Sequence, residues 1–332
     1  MSANYCLEGI NIELTTCCPL HCPQCYCSLE GAKFIPKEKA IEFMKQAAAM
    51  GATHVEMSGG ETMCYPHLYE LIAAARETGL EPSIAISGWG FDDTVLKELI
   101  SAGIDTIFVS LNGPTEEINS LTRDGFSLSI AALETLKRNG FSHTVINWVM
   151  HRNTADLLPE MIKIAEKYNV GAILIIEPMP TAEGKMDTYP TAEQLACVAD
   201  MVKKQDGPVY LQIQHCFSSL RALASDNKFW GNINRGKYKG CTAGIVSCSI
   251  NADGRFTPCR HLEIVEDYPS LAEYWEKSQY LEQLRNMEAT RCGICSSCRL
   301  APFCRHCPSH HWTEENKLYI GETQCGLYEE KE

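Results

Sequence analysis

Cys18-Pro-Leu-His-Cys22-Pro-Gln-Cys25 places three cysteines on one short loop, directly after the apolar, strand-like run at residues 11–14. Three thiolates on a four-iron cluster leave one iron without a protein ligand, much as catalytic zinc sites keep one position open. A cluster that only carries electrons generally has four cysteine ligands. The loop therefore indicates a metal centre at which a further molecule binds.

The composition favours metal binding over disulfides. The chain has 18 cysteines in 332 residues, and its N-terminus shows no basic region followed by an apolar stretch. Without a signal peptide or a membrane-spanning run, we expect a cytoplasmic protein whose thiols stay reduced. The net charge of −13 comes without a Lys/Arg stripe, which argues against a nucleic-acid partner. We expect no membrane partner either.

Short β-branched runs alternate with amphipathic stretches over the first half of the chain. Strands are predicted at 11–15, 54–58, 83–87, 106–111, 144–150 and 172–178, and helices at 36–50, 66–78, 92–102, 128–139 and 154–168. This repetition predicts an α/β fold with a parallel sheet, a partial (β/α)6 TIM-like barrel. Reactive groups in such barrels lie on loops at the strand C-termini, where the 18–25 loop falls. We expect a barrel with bridging elements at residues 1–225 and a cysteine-rich domain at 226–332.

The 18–25 loop resembles the cluster loop of the radical S-adenosylmethionine (radical SAM) superfamily. Ser58-Gly59-Gly60-Glu61, at the end of the second strand, is similar to the GGE motif of that family. The resemblance implies that Cys18, Cys22 and Cys25 hold a [4Fe-4S] cluster whose open iron binds SAM. Cleavage of SAM then gives a 5′-deoxyadenosyl radical that removes hydrogen from a substrate. One difference is Gln24, where the family commonly has an aromatic residue. A zinc site with a distant fourth ligand is the alternative.

The resemblance extends to further SAM contacts at later strand ends. Ser110, Asn112 and Arg123 stand where the family contacts the ribose and the carboxylate, with Asn112 in place of the usual Asp. Ser87 ends the third strand and Asn153 follows the fifth. The alternatives are a turn at 110–113, a solvated Arg123, and helix capping by Asn153.

The C-terminal cysteines resemble the SPASM domain, which carries two auxiliary [4Fe-4S] clusters. By the family's interleaved ligation, the nearer cluster would be held by Cys241, Cys248, Cys259 and Cys307. The farther cluster would be held by Cys295, Cys298, Cys304 and Cys325, and Cys292 could replace a neighbour. The cofactors implied are three [4Fe-4S] clusters and SAM. Zinc knuckles are the alternative, because C-x2-C pairs also suit zinc.

Several substrates are compatible with this resemblance. The leading expectation is a maturase that forms a thioether or carbon–carbon crosslink in a ribosomally made peptide. The alternatives are a peptide epimerase, a dehydrogenase or epimerase of a sugar or aminocyclitol, and a non-catalytic electron carrier. In sulfatase maturases an Asp base follows the cysteine that matches Cys259, and here Arg260 stands there, followed by His261. Because a cation cannot act as that base, the sequence argues against a sulfatase maturase.

Arg260 is a candidate for binding a substrate carboxylate or peptide backbone, and His261 for relaying a proton. Cys216 and Cys27 are candidates for donating a hydrogen atom to a product radical. Only 17 residues precede Cys18, which leaves no room for a leader-binding domain. We therefore expect recognition of a peptide by a separate protein or by the enzyme's own surface, or else a small-molecule substrate. A flavodoxin- or ferredoxin-type reductant is the expected electron source.

Overall fold

The structure is a computed structural model that describes residues 5–27, 31–179, 189–224, 240–262, 264–310, 325 and 327. Its described strands form one sheet in the order β7-β6-β5-β4-β3-β2-β1-β8-β9. They are β1 (Gly9–Thr15), β2 (His54–Gly59), β3 (Glu81–Ile86), β4 (Thr106–Ser110), β5 (Thr144–Val149), β6 (Ala172–Ile176), β7 (Tyr210–Ile213), β8 (Ser247–Ile250) and β9 (Phe256–Thr257). Every neighbouring pair is parallel except β8 and β9.

Of the described helices, the first eight lie between consecutive parallel strands along the chain, as a parallel sheet requires, and the last three follow the final strand. They are α1 (Lys37–Ala49), α2 (Leu68–Glu77), α3 (Asp93–Ala102), α4 (Glu116–Ser120), α5 (Phe126–Arg138), α6 (Leu158–Lys167), α7 (Ala192–Lys204), α8 (Ser218–Ala224), α9 (Leu271–Lys277), α10 (Gln279–Arg285) and α11 (Ile294–Ser297). Local sequence fixes their ends: the Asp92 carboxylate accepts from Val95 N–H at 2.9 Å to begin α3, and Gly103 ends it in the left-handed region.

The predicted α/β fold is confirmed, and the six predicted strands correspond to β1–β6. The sheet continues beyond them at both ends. β7 pairs with β6, and β8, from the cysteine-rich region, pairs in parallel with β1. The predicted domain boundary falls at residues 225–239, outside the described residues, and the division into two domains stays a prediction. No helix among the described residues is long and apolar enough to cross a membrane.

The core lies between the helices and one face of the sheet. Along β1 the side chains of Ile10, Ile12 and Leu14 are at most 2% exposed and pack in this core. Asn11, one residue out of phase with them, borders a cleft. This alternation follows from the two-residue period of a strand, and it decides which side chains can reach the site.

Candidate functional site

A cleft of about 490 Å³ opens at the C-terminal ends of the parallel strands. This volume lies within the roughly 300–1,000 Å³ of typical small-molecule sites. The three cysteines of the 18–25 loop border it, together with Glu61 and Arg123. The cleft therefore brings together the residues that the sequence placed at three separate strand ends.

Gln24 holds the cysteine loop against the ends of β4 and β5. Its backbone N–H donates to Thr122 O at 3.1 Å. Its side-chain oxygen accepts from Asn112 Nδ2 at 2.8 Å and lies 2.5 Å from His151 Nε2. A polar residue before the third cysteine is thus explained by its neighbours, since an aromatic ring could not make these hydrogen bonds.

The loop thiols differ in acidity. Burial raises the pKa of Cys18 to about 11. A hydrogen bond from the Cys27 thiol lowers the pKa of Cys25 to about 6, and the Arg123 guanidinium contributes in the same direction. Because thiolates are the species that bind metal, Cys25 is prepared for ligation near neutral pH. Cys27, proposed from sequence as a hydrogen donor, lies beside Cys25.

Glu61 lies in the cleft with only 2% of its surface exposed. Its carboxylate accepts from Ser87 N–H at 2.9 Å, from the Ser87 hydroxyl, and from Met63 N–H at 3.1 Å. Burial raises the pKa of Glu61. Ser87 thus orients Glu61, and a buried carboxylate in this position suits the ammonium group of a ligand.

The two glycines before Glu61 allow β2 to approach the cysteine loop. Gly59 has φ of 139°, in a region that side chains disfavour. A Cβ on Gly60 would collide with the Cys17 carbonyl. Glu61 N–H donates to the same Cys17 carbonyl at 2.8 Å, so the close approach of β2 to the cysteine loop also positions Glu61.

Arg123 provides the cation that the sequence predicted. It borders the cleft, and its Nε is buried without a hydrogen-bond partner among the described residues. Hydrogen bonds between Asn119 and the Arg123 backbone, at 2.7 and 2.8 Å, fix its position. A buried donor without a partner is costly, so this nitrogen is suited to an anionic ligand group.

Ser110 and Asn112 border the same cleft at the end of β4. Asn112 is 1% exposed, and its amide donates to Gln24 and Thr122 and accepts from Val149 N–H at 3.2 Å. The Asn112 side chain therefore joins the cysteine loop to β4 and β5. To contact a ribose hydroxyl as predicted, the Asn112 amide would have to give up one of these hydrogen bonds.

Asn153 does not fit its predicted place. It is exposed and lies outside the cleft lining, because the chain has already turned into the segment before α6. His151, two residues after β5, borders the cleft instead, and burial lowers its pKa to about 4. The sequence signal that could have identified His151 is its position directly beyond a strand C-terminus.

Arg260 and His261 border the cleft next to the second strand. Arg260 donates to Ser58 Oγ and to Glu56 Oε1, both at 2.8 Å, so its charge is already paired. Ser58 was expected to contact SAM, but in this structure its hydroxyl accepts a hydrogen bond from Arg260. The His261 ring meets Tyr26 edge-on, with centroids 4.4 Å apart, and burial lowers the pKa of His261 to about 3. The ring is therefore neutral and a weak base, which does not favour the proton relay expected from sequence.

The auxiliary cysteines form two groups. In one group, Cys241 and Cys307 lie close enough to Cys259 to raise the pKa of its thiol, and the Cys216 thiol contacts that of Cys307. In the other, Cys295 lies among Cys298, Cys325 and the exposed Cys292, while Cys304 lies near Cys295 and Cys325. Cys248 is separate from both groups: it faces Arg285 and Tyr274. The predicted set for the farther cluster is brought together, and the predicted set for the nearer cluster is not.

No disulfide joins any of the eighteen cysteines, all of which lie in the described part of the chain. Three thiols on an open-sided loop, a buried acid and an unsatisfied guanidinium nitrogen surround one cleft. This donor set fits a [4Fe-4S] cluster with one open iron, and a ligand with an ammonium and a carboxylate group, such as SAM.

The model of the radical SAM superfamily matches residues 12–165 of the chain. The PqqA peptide cyclase of Gluconobacter oxydans (strain 621H) is 28% identical over 290 residues, which cover 80% of this chain and 75% of that protein.

Two solved structures share the fold. Streptococcus suis SuiB bound to S-adenosylmethionine has a TM-score of 0.78 at 18% identity, covering 97% of this chain and 78% of that one. Native anSMEcpe with bound AdoMet has a TM-score of 0.71 at 18% identity, covering 94% and 93%. SuiB is also known bound to its precursor peptide SuiA. Residues 12–165 of the chain therefore match the radical SAM superfamily, the sequence is similar to the PqqA peptide cyclase over 80% of its length, and the fold is that of SuiB and anSMEcpe.

Proposed function

We propose that this enzyme modifies a ribosomally synthesised peptide and forms a thioether or carbon–carbon crosslink in it. The observation that carries the proposal is the continuity of the cleft. Cys18, Cys22 and Cys25 border one part of it, and Cys216, Cys241 and Cys259 border another. A substrate in this cleft would lie between the radical-forming centre and a second cysteine-lined centre.

A crosslink removes two hydrogen atoms from the peptide, and both must be accounted for. When bound, the first cluster and SAM supply the radical that takes one hydrogen atom. The second leaves as a proton and an electron. The proton passes to the solvent, because burial and the neighbouring Arg260 make His261 too weak a base to hold it. The auxiliary cysteines, which would hold two [4Fe-4S] clusters, provide a place for the electron.

This chain's own residues would bind and orient the reactants. Glu61 and Arg123 present opposite charges to the amino and carboxylate groups of SAM, while Ser87 and Asn112 hold the surrounding loops. Arg260 would contact a substrate carboxylate or backbone from its place beside Glu56 and Ser58.

The relatives support a peptide substrate. The PqqA peptide cyclase is named for a peptide, SuiB is known with a precursor peptide, and anSMEcpe is known with the Cp18Cys peptide. We further propose a cytoplasmic enzyme reduced by a flavodoxin- or ferredoxin-type protein, with substrate presented by a separate leader-binding protein or bound directly.

The test is to incubate the reduced holoenzyme anaerobically with SAM and a short peptide encoded beside its gene. We expect a product lighter by pairs of hydrogen atoms, and none from the Cys18→Ala/Cys22→Ala/Cys25→Ala variant. A product of unchanged mass that has gained solvent deuterium would instead identify a peptide epimerase. Conversion of a sugar or aminocyclitol, with every such peptide left intact, would overturn the proposal.

A further inference from the structure

The cysteines around the nearer auxiliary site are Cys241, Cys259, Cys307 and, unexpectedly, Cys216. Cys241 and Cys307 are buried, at 6% and 3% exposure, and Cys259 packs against the same core. The thiols of Cys216 and Cys307 are hydrogen-bonded to each other. Four thiols therefore converge from four separate stretches of chain.

One carbonyl group holds three of these stretches together. Arg305 O accepts from Cys241 N–H at 3.1 Å and from the Ser218 hydroxyl at 2.5 Å. Gly240 permits this approach, because a Cβ there would collide with both Arg305 O and Ser218 Oγ. The segments that carry Cys216, Cys241 and Cys307 are thus fixed relative to one another before any metal binds.

The strand that carries Cys248 borders the cleft, but the Cys248 side chain belongs to the hydrophobic core. Cys248 pairs in register with Ile10, which packs in the same core, whereas the next residue, Ser249, pairs with Asn11. The Cys248 side chain faces Arg285 and Tyr274, which belong to α10 and α9. Because side chains alternate along a strand, turning the Cys248 thiol out of the core and towards the other three thiols would require a register shift in β8.

We propose that Cys216, and not Cys248, is the fourth ligand of the nearer auxiliary cluster. Together with Cys241, Cys259 and Cys307 it completes a four-thiolate set, each thiol losing its proton to the solvent as it binds iron. Cys216 thereby has a ligand role in place of the hydrogen-donor role suggested by sequence. The inference rests on the auxiliary clusters of the proposed function and is independent of the substrate.

A second arrangement competes for Cys307. Glu177, Cys307 and His310 place one ligand atom each within 4.8 Å of one another, close enough for a single metal ion. Both Glu177 and His310 have fully buried side chains, 3.6 Å apart. A mononuclear zinc here would use the Cys307 thiolate and exclude the cluster, so zinc content is part of the test.

The experiment uses the full chain with Cys18→Ala, Cys22→Ala and Cys25→Ala, reconstituted anaerobically, so that only auxiliary clusters remain. Iron, sulfide and zinc are counted and EPR spectra of the reduced protein are recorded. We expect Cys216→Ala to lose about four iron atoms per chain or to change the spectrum of one cluster, since a [4Fe-4S] cluster normally has four cysteines. The matched control, Cys248→Ala, should keep the parental iron content and spectrum.

Cys216→Ser covers the case in which the alanine variant does not fold. Its hydroxyl can still bind iron, so we expect the iron to be retained with shifted g-values. The inference is overturned if Cys248→Ala loses the cluster while Cys216→Ala keeps it, or if the spectra of both Cys216 variants match the parent. Zinc without auxiliary iron would also overturn it. Failure to modify a peptide would leave these measurements unchanged, so it would count against the proposed function alone.

Discussion

Glu61 and Arg123 give the cleft its two charges. Hydrogen bonds from Ser87 and Met63 hold the carboxylate, whereas Arg123 Nε is buried without a partner in the described residues. The amino and carboxylate groups of SAM complement this pair. A ligand group that bonds this buried nitrogen gains more than one that meets an exposed cation, because water competes less.

Arg123→Ala should weaken SAM binding about 10- to 100-fold, since a hydrogen bond to a charged group contributes roughly 1.5–3 kcal/mol. Anaerobic equilibrium dialysis of SAM against the reconstituted protein measures this, with iron content as the check on the cluster. Arg138→Ala is the matched control, because Arg138 pairs with Asp93 at the surface. A dissociation constant within twofold of the parent would refute the role of Arg123.

His151 should make folding sensitive to acid. Its pKa falls by burial from 6.5 to about 4, so the unfolded chain takes up a proton before the folded one. Stability is then complete above pH 6.5 and falls as the pH drops towards 4, by about 1.4 kcal/mol per pH unit.

Urea unfolding of the cluster-free protein at pH 7 and pH 5 measures this effect. His151→Gln should lose roughly 2 kcal/mol less than the parent over that interval. His143→Gln, at a side chain that is 62% exposed, should behave as the parent does. Equal losses in parent and His151→Gln would contradict the assignment.

At single residues, the sequence could predict those whose chemistry is stated by a local motif. Glu61 and the three loop cysteines were found in this way, and all border the cleft. Asn153 is predicted only from its position after the fifth strand, and the structure shows it exposed. The turn after β5 is instead fixed by a hydrogen bond from His151 N–H to the Thr154 hydroxyl. The Gln24–His151 contact joins residues 127 positions apart, which no local pattern reveals.

At the level of elements, the close contact between the end of β2 and the cysteine loop determines the site. Gly60 lies against the Cys17 backbone, and Glu61 N–H binds the Cys17 carbonyl. The strand, the loop and the acid are therefore positioned by one another. A side chain in this contact would separate the cysteines from Glu61.

Gly60→Ala should destabilise the protein by roughly 1–3 kcal/mol through overpacking and should weaken SAM binding. Gly207→Ala is the matched control, because a Cβ there meets nothing within 4 Å. Urea unfolding and SAM dialysis on both variants give the comparison. A Gly60→Ala protein with the parental unfolding midpoint and SAM affinity would show that the contact can relax.

Element boundaries were predictable where strand and helix periods alternate, as in β1–β6. β8 was not predicted, because its four residues lie in a cysteine-rich stretch where ligand spacing hides the strand pattern. Missing that strand also hid the alternation that sets the Cys248 side chain in the core, beside Arg285 and Tyr274. The resemblance therefore implied Cys248 as a ligand, whereas we propose Cys216, whose thiol contacts that of Cys307.

Over the whole molecule, one open sheet carries both cysteine-lined parts of the cleft. β8 lies next to β1, so the segment that follows β8 and contains Cys259 is held beside the 18–25 loop. The spacing between the radical-forming site and the auxiliary site is thereby set by sheet pairing. This arrangement is the structural basis for the proposed crosslinking of a peptide held between them.

The most direct test of that claim follows a hydrogen atom. A fully deuterated peptide encoded beside the gene is incubated with reduced holoenzyme and SAM, and the 5′-deoxyadenosine and the peptide are analysed by mass spectrometry. We predict deuterium in the 5′-deoxyadenosine together with a peptide that has lost deuterium in pairs. Unlabelled 5′-deoxyadenosine beside an intact peptide, with labelling by a deuterated sugar or aminocyclitol instead, would contradict a peptide substrate.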